Sequence, residues 1–195
     1  PRNRRRRASI LIENANRRIL IDTSPDLRLQ MLDASVDSLD AVLFTHDHAD
    51  HCHGLDDLRA FAFHHGPIPA YMSEETQNSL AQRFGYALKS QNSASGLYRA
   101  ILDDQIISHE VFDAAGTAVQ PFLQDHGLGQ TTLGFRIGGF AYSTDLIDLP
   151  EASWKVLSNL DLWIVDCLQE KPHPTHSHLE KTLRWIEKIQ PRNTI

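Results

Sequence analysis

The sequence of 195 residues has only two cysteines, Cys52 and Cys167, which excludes a disulfide framework and a CxxC zinc pair within this chain. It has no apolar run near the length of a membrane span and no apolar signal-peptide core at its start. No membrane partner is therefore expected, and the cytoplasm is the expected location. Positive charge is not in excess either. The formal net charge is −6, which disfavours a general nucleic-acid binder and a stable nucleic-acid complex. An initiator Met is missing at Pro1, and Thr194 and Ile195 read as the opening of a strand, so the chain is expected to be trimmed at both ends. With 41% hydrophobic and 23% charged residues, residues 1–195 read as a single globular domain with one sizeable core.

What the sequence has in abundance is histidine, eleven in all. Four potential metal ligands, His46, His48, Asp50 and His51, fall in the stretch THDHADH, directly after the apolar run Ala41 to Phe44. A strand over Ala41 to Thr45 would put His46 and His48, two apart, on one face. The following turn would bring Asp50 and His51 to the same rim. Neutral imidazoles and carboxylates suit Zn, Mn or Fe(II), and four such ligands in so short a span exceed what one ion usually needs. The stretch reads as the core of a two-metal site. Two later residues are candidates on their chemistry: His126 in QDHG, after an expected strand Ala118 to Gln124, and Asp145 in YSTD, after an expected strand Phe140 to Ser143. In isolation they read as a surface histidine and a turn aspartate. The basic run Arg2 and Arg4 to Arg7 reads as a solvated lead into the first strand, with contact to a phosphate or nucleic acid as the alternative.

The pattern along the chain is strand-rich with interposed helices. Ser9 to Glu13 and Arg18 to Asp22 form an expected hairpin around Asn14 to Arg17. Ser24 and Pro25 read as the cap and first residue of a helix to about Leu32. Helical spacing runs from Leu55 to Phe63, a strand from Ile68 to Met72, and a helix capped by Ser73 to about Phe84. Gln91 to Gly96 is a Ser- and Asn-rich loop. Strands follow at Gln105 to Ile107, Glu110 to Phe112, Ala118 to Gln124, Thr132 to Ile137 and Phe140 to Ser143, the last two joined through Gly138-Gly139. Pro150 to Asn159 and Ser177 to Ile189 read as helices around a buried strand, Leu162 to Val165. This order fits an α/β chain built as an αββα sandwich of two mixed β-sheets flanked by helices.

THDHADH resembles the signature of the metallo-beta-lactamase superfamily of binuclear hydrolases, and the later motifs recur in that superfamily's order. The resemblance implies the same αββα fold and two divalent metal ions, Mn or Zn. It implies that His46, His48 and His126 hold the first ion, Asp50 and His51 the second, and that Asp145 bridges them. A further ligand histidine is implied just beyond Ile195. Such a pair lowers the pKa of its water to about 7 and stabilises charge building on the electrophile. Asn3 to Arg7, RFGYA at Arg83 to Ala87, and HPTHSH with His173, His176 and His178 look like a subgroup close to the cyclic phosphoribosyl phosphodiesterases of phosphonate catabolism. That implies a metal-dependent phosphodiesterase acting on a small cyclic or nucleotide-like phosphodiester, with a homodimer possible. His176, or alternatively His178, would act as acid or base on the leaving alkoxide. The other reading of His176 is a neighbour of the N-cap that starts the last helix. Asp50 is a second candidate for managing the proton. The alternatives are a tRNA 3'-processing endonuclease and a non-hydrolytic metal-binding accessory protein of cofactor biosynthesis.

Overall fold

The hairpin forms as expected. Strand β1 (Ile10–Asn14) runs antiparallel to β2 (Arg17–Ile21), with Ile10 opposite Ile21 and Asn14 opposite Arg17. The structure, a computed structural model, describes residues 5–14, 17–91 and 99–195. The expected loop Gln91 to Gly96 lies, past Gln91, outside the described residues.

Three more strands join β2 in parallel, namely β3 (Ala41–Leu43), β4 (Ile68–Met72) and β5 (Leu102–Ile106), giving a mixed sheet of order β1-β2-β3-β4-β5. Parallel neighbours need crossover connections. Helix α1 (Leu27–Asp33) lies between β2 and β3, and α4 (Glu74–Phe84) between β4 and β5. Between β3 and β4 come α2 (Ala49–Cys52), a 3-10 turn (Leu55–Leu58) and α3 (Arg59–His65). Leu20, Leu27, Val42, Phe44, Leu55, Leu58 and Leu80 form one buried cluster, so one face of this sheet and the helices that cross it share a core. Helix α4 starts where its sequence says it should. The Ser73 hydroxyl accepts the Thr76 N–H at 3.2 Å, and Glu74 and Glu75 occupy the positive first turn, a cap of about 1 kcal/mol.

The second sheet has the order β11-β10-β9-β8-β7-β6. Strands β6 (Phe112–Ala114), β7 (Thr117–Gly127), β8 (Gln130–Ile137) and β9 (Phe140–Ser143) form an antiparallel meander, and β10 (Leu162–Val165) and β11 (Asn193–Thr194) continue it in parallel. Helices α5 (Glu151–Val156) and α6 (Leu179–Ile189) cover it, with Phe122, Leu157, Trp163 and Trp185 in the shared core. The chain divides into two units, Pro1–Ile107 and Ser108–Ile195. Each carries one mixed sheet flanked by helices.

Several expectations shift. The strand before THDHADH stops at Leu43, not Thr45, so His46 and His48 are not alternate residues of a strand. Both lie in the loop, with His48 as the N-cap of α2. Helix α1 begins at Leu27 because Ser24 and Pro25 are taken up by a turn, closed by the Leu27 N–H to the Ser24 carbonyl at 2.9 Å. The helix expected over Leu55 to Phe63 is split, its first turn wound as 3-10 and its remainder extended to His65. Helix α5 is shorter than Pro150 to Asn159, and α6 starts at Leu179 rather than Ser177. Strand β7 runs three residues past Gln124, so His126 lies inside it rather than after it. The strand expected over Glu110 to Phe112 forms two residues later.

Candidate metal centre

In the first unit the organising residue is Asp22, which follows β2. It is fully buried and sits in the left-handed region at φ +62°, a conformation uncommon outside glycine and tolerated best by Asp and Asn. Its N–H donates to the Leu43 carbonyl at 2.8 Å, which fastens the end of β2 to the end of β3. Its carboxylate then faces the motif. One oxygen accepts the Thr45 N–H at 2.8 Å, and the other accepts the Thr45 hydroxyl and contacts His51 Nδ1, both at 2.8 Å.

These bonds place a proton on Nδ1 of both the His46 and the His51 ring. The single Thr45 hydroxyl proton goes to Asp22, so the contact between Thr45 Oγ1 and His46 Nδ1 at 2.9 Å has the imidazole N–H donating. His51 Nδ1 faces a carboxylate and must also be the donor. In the neutral form of each ring Nε2 is then the lone-pair nitrogen, the form in which imidazole binds a metal. The rings are close, with the His46 centroid 4.6 Å from that of His48 and 4.3 Å from that of His51. Asp50, whose side chain is 51% exposed, has a carboxylate oxygen 3.6 Å from His51 Nε2. The motif is also tied down through its backbone. The Thr23 N–H donates to the His51 carbonyl at 2.7 Å, and the Gly54 N–H to the Thr23 carbonyl at 2.8 Å. A Cβ on Gly54 would lie 2.0 Å from the Ser24 carbonyl oxygen, so only glycine permits this approach.

In the second unit a β-bulge sets the site. The register between β7 and β8 shifts between Asp125 and Gly127, which leaves His126 as the extra residue, and such bulges re-aim a side chain. His126 is buried, and its Nδ1 donates to the Thr175 carbonyl at 2.9 Å, so this ring too, when neutral, has Nε2 as its lone-pair nitrogen. The segment carrying Thr175 passes so close that a Cβ on Gly127 would lie 2.2 Å from the Pro174 carbonyl oxygen. Asp145, two residues after β9, is another left-handed aspartate at φ +52°. The Thr144 hydroxyl donates to one of its carboxylate oxygens at 2.7 Å. The other lies 4.0 Å from His126 Nε2 and 3.8 Å from His176 Nε2. His176 Nδ1 contacts the carboxylate of Asp166, which follows β10, at 2.8 Å. Burial pushes the Asp166 carboxyl upward, and the His176 ring beside it acts in the opposite direction. His178 is the N-cap of α6.

Each expected residue is thus placed within its own unit. His46, His48, Asp50 and His51 gather around Asp22, and His126, Asp145 and His176 gather beside Asp166. Sequence reasoning passed over Asp22, Thr45, Thr175 and Asp166. The signal for the two aspartates was present in RILID and WIVD, where an acid ends a buried strand as it nearly does in YSTD. Thr175 acts through its backbone carbonyl, which no side chain announces.

The Beta-lactamase superfamily domain matches residues 17–195. This chain belongs to the metallo-beta-lactamase superfamily. Its two mixed sheets flanked by helices are that superfamily's αββα fold class. A solved structure described as a new diphosphatase from the PhnP family is 33% identical, with a TM-score of 0.86, over 98% of this chain and 74% of that one, in keeping with the subgroup expected from the sequence. A protein of Porphyromonas gingivalis (strain ATCC BAA-308 / W83) named octanoyltransferase is 35% identical over 187 residues, 95% of this chain. The match spans only 37% of that relative's length. Human tRNase Z, short form, shares the fold at 12% identity and a TM-score of 0.72, over 97% of this chain and 86% of that one. No helix among the described residues is long and apolar enough to cross a membrane.

Proposed function

We propose that this member of the superfamily is a binuclear metal-dependent hydrolase acting on a small phosphodiester or diphosphate. The observation that carries the metal reading is the common state of three imidazoles. His46, His51 and His126 each engage Nδ1 with an oxygen acceptor, at 2.9, 2.8 and 2.9 Å. Such partners are the usual outer support of metal-binding histidines, fixing the tautomer and raising ligand basicity. The donor set of neutral imidazoles and carboxylates suits Zn or Mn. On the pattern that the superfamily resemblance implies, His46, His48, Asp50, His51, His126 and Asp145 would be the residues that hold the ions. A metal pair so held would supply water of pKa about 7 as nucleophile and offset charge on the substrate's oxygens.

The chain's own contribution to proton transfer is His176. Asp166 fixes its ring through Nδ1 and leaves Nε2 as the atom that can hand a proton to a departing alkoxide. The identity to a PhnP-family diphosphatase supports a phosphate ester or anhydride as substrate. A second reading comes from the Porphyromonas gingivalis relative, whose name belongs to a protein of which this chain covers about a third. On that reading the substrate is an octanoyl ester or thioester.

The test is turnover of bis-p-nitrophenyl phosphate and of a nucleoside diphosphate, with added Mn and after EDTA, beside an octanoyl thioester. Metal-dependent phosphate turnover is expected, lost in His46→Ala and reduced about 10²-fold or more in His176→Ala, as loss of a general acid predicts. Cleavage of the thioester alone would refute the phosphodiesterase reading and favour the second.

A further inference from the structure

The metal motif contains an aspartate that no ligand assignment uses. Asp47 lies between His46 and His48, within reach of the same ions by sequence, yet its side chain is held elsewhere. Two residues of α4, one turn apart, take it. The Ser79 hydroxyl donates to Asp47 Oδ2, and Arg83 Nη2 donates to the same oxygen at 3.1 Å. The guanidinium also donates to the Asp47 backbone carbonyl at 2.7 Å and to Ser79 Oγ at 3.0 Å. From the other side, the buried Cys52 thiol donates to that carbonyl at 3.1 Å. The peptide joining the two ligand histidines is therefore gripped at its carbonyl and its side chain by an element outside the motif.

We propose that Arg83, with Ser79, is a positioning residue for the metal centre. It fixes the backbone between His46 and His48 and keeps the Asp47 carboxylate out of the ligand set. The inference rests on the metal reading above. The motif offers two aspartates, Asp47 and Asp50, and carboxylates are competent ligands for Mn and Zn. A freed Asp47 would compete with the imidazoles for the ion. Both Arg83 contacts to Asp47 fall on Nη2, whose two hydrogens are held in the plane of a rigid guanidinium, whereas a lysine ammonium is a point charge on a flexible stem.

The test measures Mn and Zn affinity of the apo protein by competition with a chromophoric chelator, together with the absorption spectrum of the Co-loaded protein. The variants are Arg83→Ala, Arg83→Lys and Ser79→Ala, with Arg184→Ala as a charge control. Arg184 is paired with Glu180 on α6. Arg83→Ala is expected to weaken binding about tenfold or more, the usual cost of losing an outer partner, and to alter the Co spectrum. Arg83→Lys should restore part of the affinity, Ser79→Ala should weaken it less than Arg83→Ala, and Arg184→Ala should leave it at the wild-type value. A further change, Asp47→Asn on the Arg83→Ala background, removes the competing carboxylate and should return the Co spectrum toward wild type. Wild-type affinity and spectrum in both Arg83→Ala and Ser79→Ala would overturn the positioning role while leaving the metal reading intact. If Arg83→Ala does not fold, Ser79→Ala alone decides. A wild-type protein that takes up no metal overturns the metal reading, and this role with it.

Discussion

Replacing Asp22 by Asn removes the residue on which the first half of the site depends while keeping its shape. The backbone should hold, because Asn tolerates the left-handed region that Asp22 occupies. The carboxylate accepts three hydrogen bonds at 2.8 Å with no exposure to water. An amide has one acceptor oxygen and one donor nitrogen, so its NH2 stands either opposite the Thr45 N–H or opposite the Thr45 hydroxyl and His51 Nδ1 together. In the first case one buried backbone N–H is left facing a donor, at about 1–3 kcal/mol, and His51 keeps its tautomer but loses the charged partner that raises its basicity. In the second, the hydroxyl must turn to accept and the His51 ring must move its proton to Nε2, so the lone pair needed for a metal is lost. Metal affinity should fall about 10- to 100-fold, as for loss of other outer-shell partners. Urea unfolding of the apo protein reads the first quantity and chelator competition the second. A variant that loses stability yet binds metal as tightly as wild type would refute the tautomer argument. Asp22 would then be a packing residue only.

Two further expectations are independent of the metal. Asp104 on β5 would be raised by burial, but the Ser90 hydroxyl and N–H and the Gln77 amide bind its carboxylate and hold it below the usual range. A folded value below the unfolded one gives stability that is present above the unfolded pKa of about 3.9 and is lost as pH falls through the folded value. Asp104→Asn should therefore cost about 1 kcal/mol at pH 7, discounted for partial exposure, and less at acid pH. Equal urea-midpoint shifts at both pH values would sink this account. Cys52 is buried and its thiol is pushed up to about 11, chiefly by burial, whereas Cys167 is exposed. The native protein should present a single thiol to a disulfide reagent, lost in Cys167→Ser, with two in denaturant. Rapid reaction of both native thiols would contradict the burial of Cys52.

Much of the fold could be read because its rules are local. The hairpin of β1 and β2 is announced by two β-branched runs around a turn, and the cap of α4 by Ser73 with Glu74 and Glu75. Strands β9 and β10 begin and end where their apolar runs do. Local rules fail where a neighbour distant in sequence competes for the same groups. Ser24 and Pro25 look like a helix start, but the Ser24 carbonyl closes a turn and packs on Gly54. The apolar run before THDHADH looks like a strand reaching Thr45, but Asp22 takes the Thr45 N–H and ends the ladder early. His126 looks like a residue after a strand, and the bulge keeps it within one.

The candidate site divides the same way. Sequence alone determined which residue types are available and that four donors crowd into THDHADH, because ligand identity and spacing are properties of the chain itself. Only the tertiary structure decided which nitrogen each imidazole offers, that Asp22 and Asp166 stand behind His51 and His176, and that Asp47 is turned away by Arg83. A proton's place on a ring is fixed by the acceptor opposite it. Here Asp22 lies 29 residues from His51 and Thr175 lies 49 from His126, separations across which no periodicity or propensity carries information.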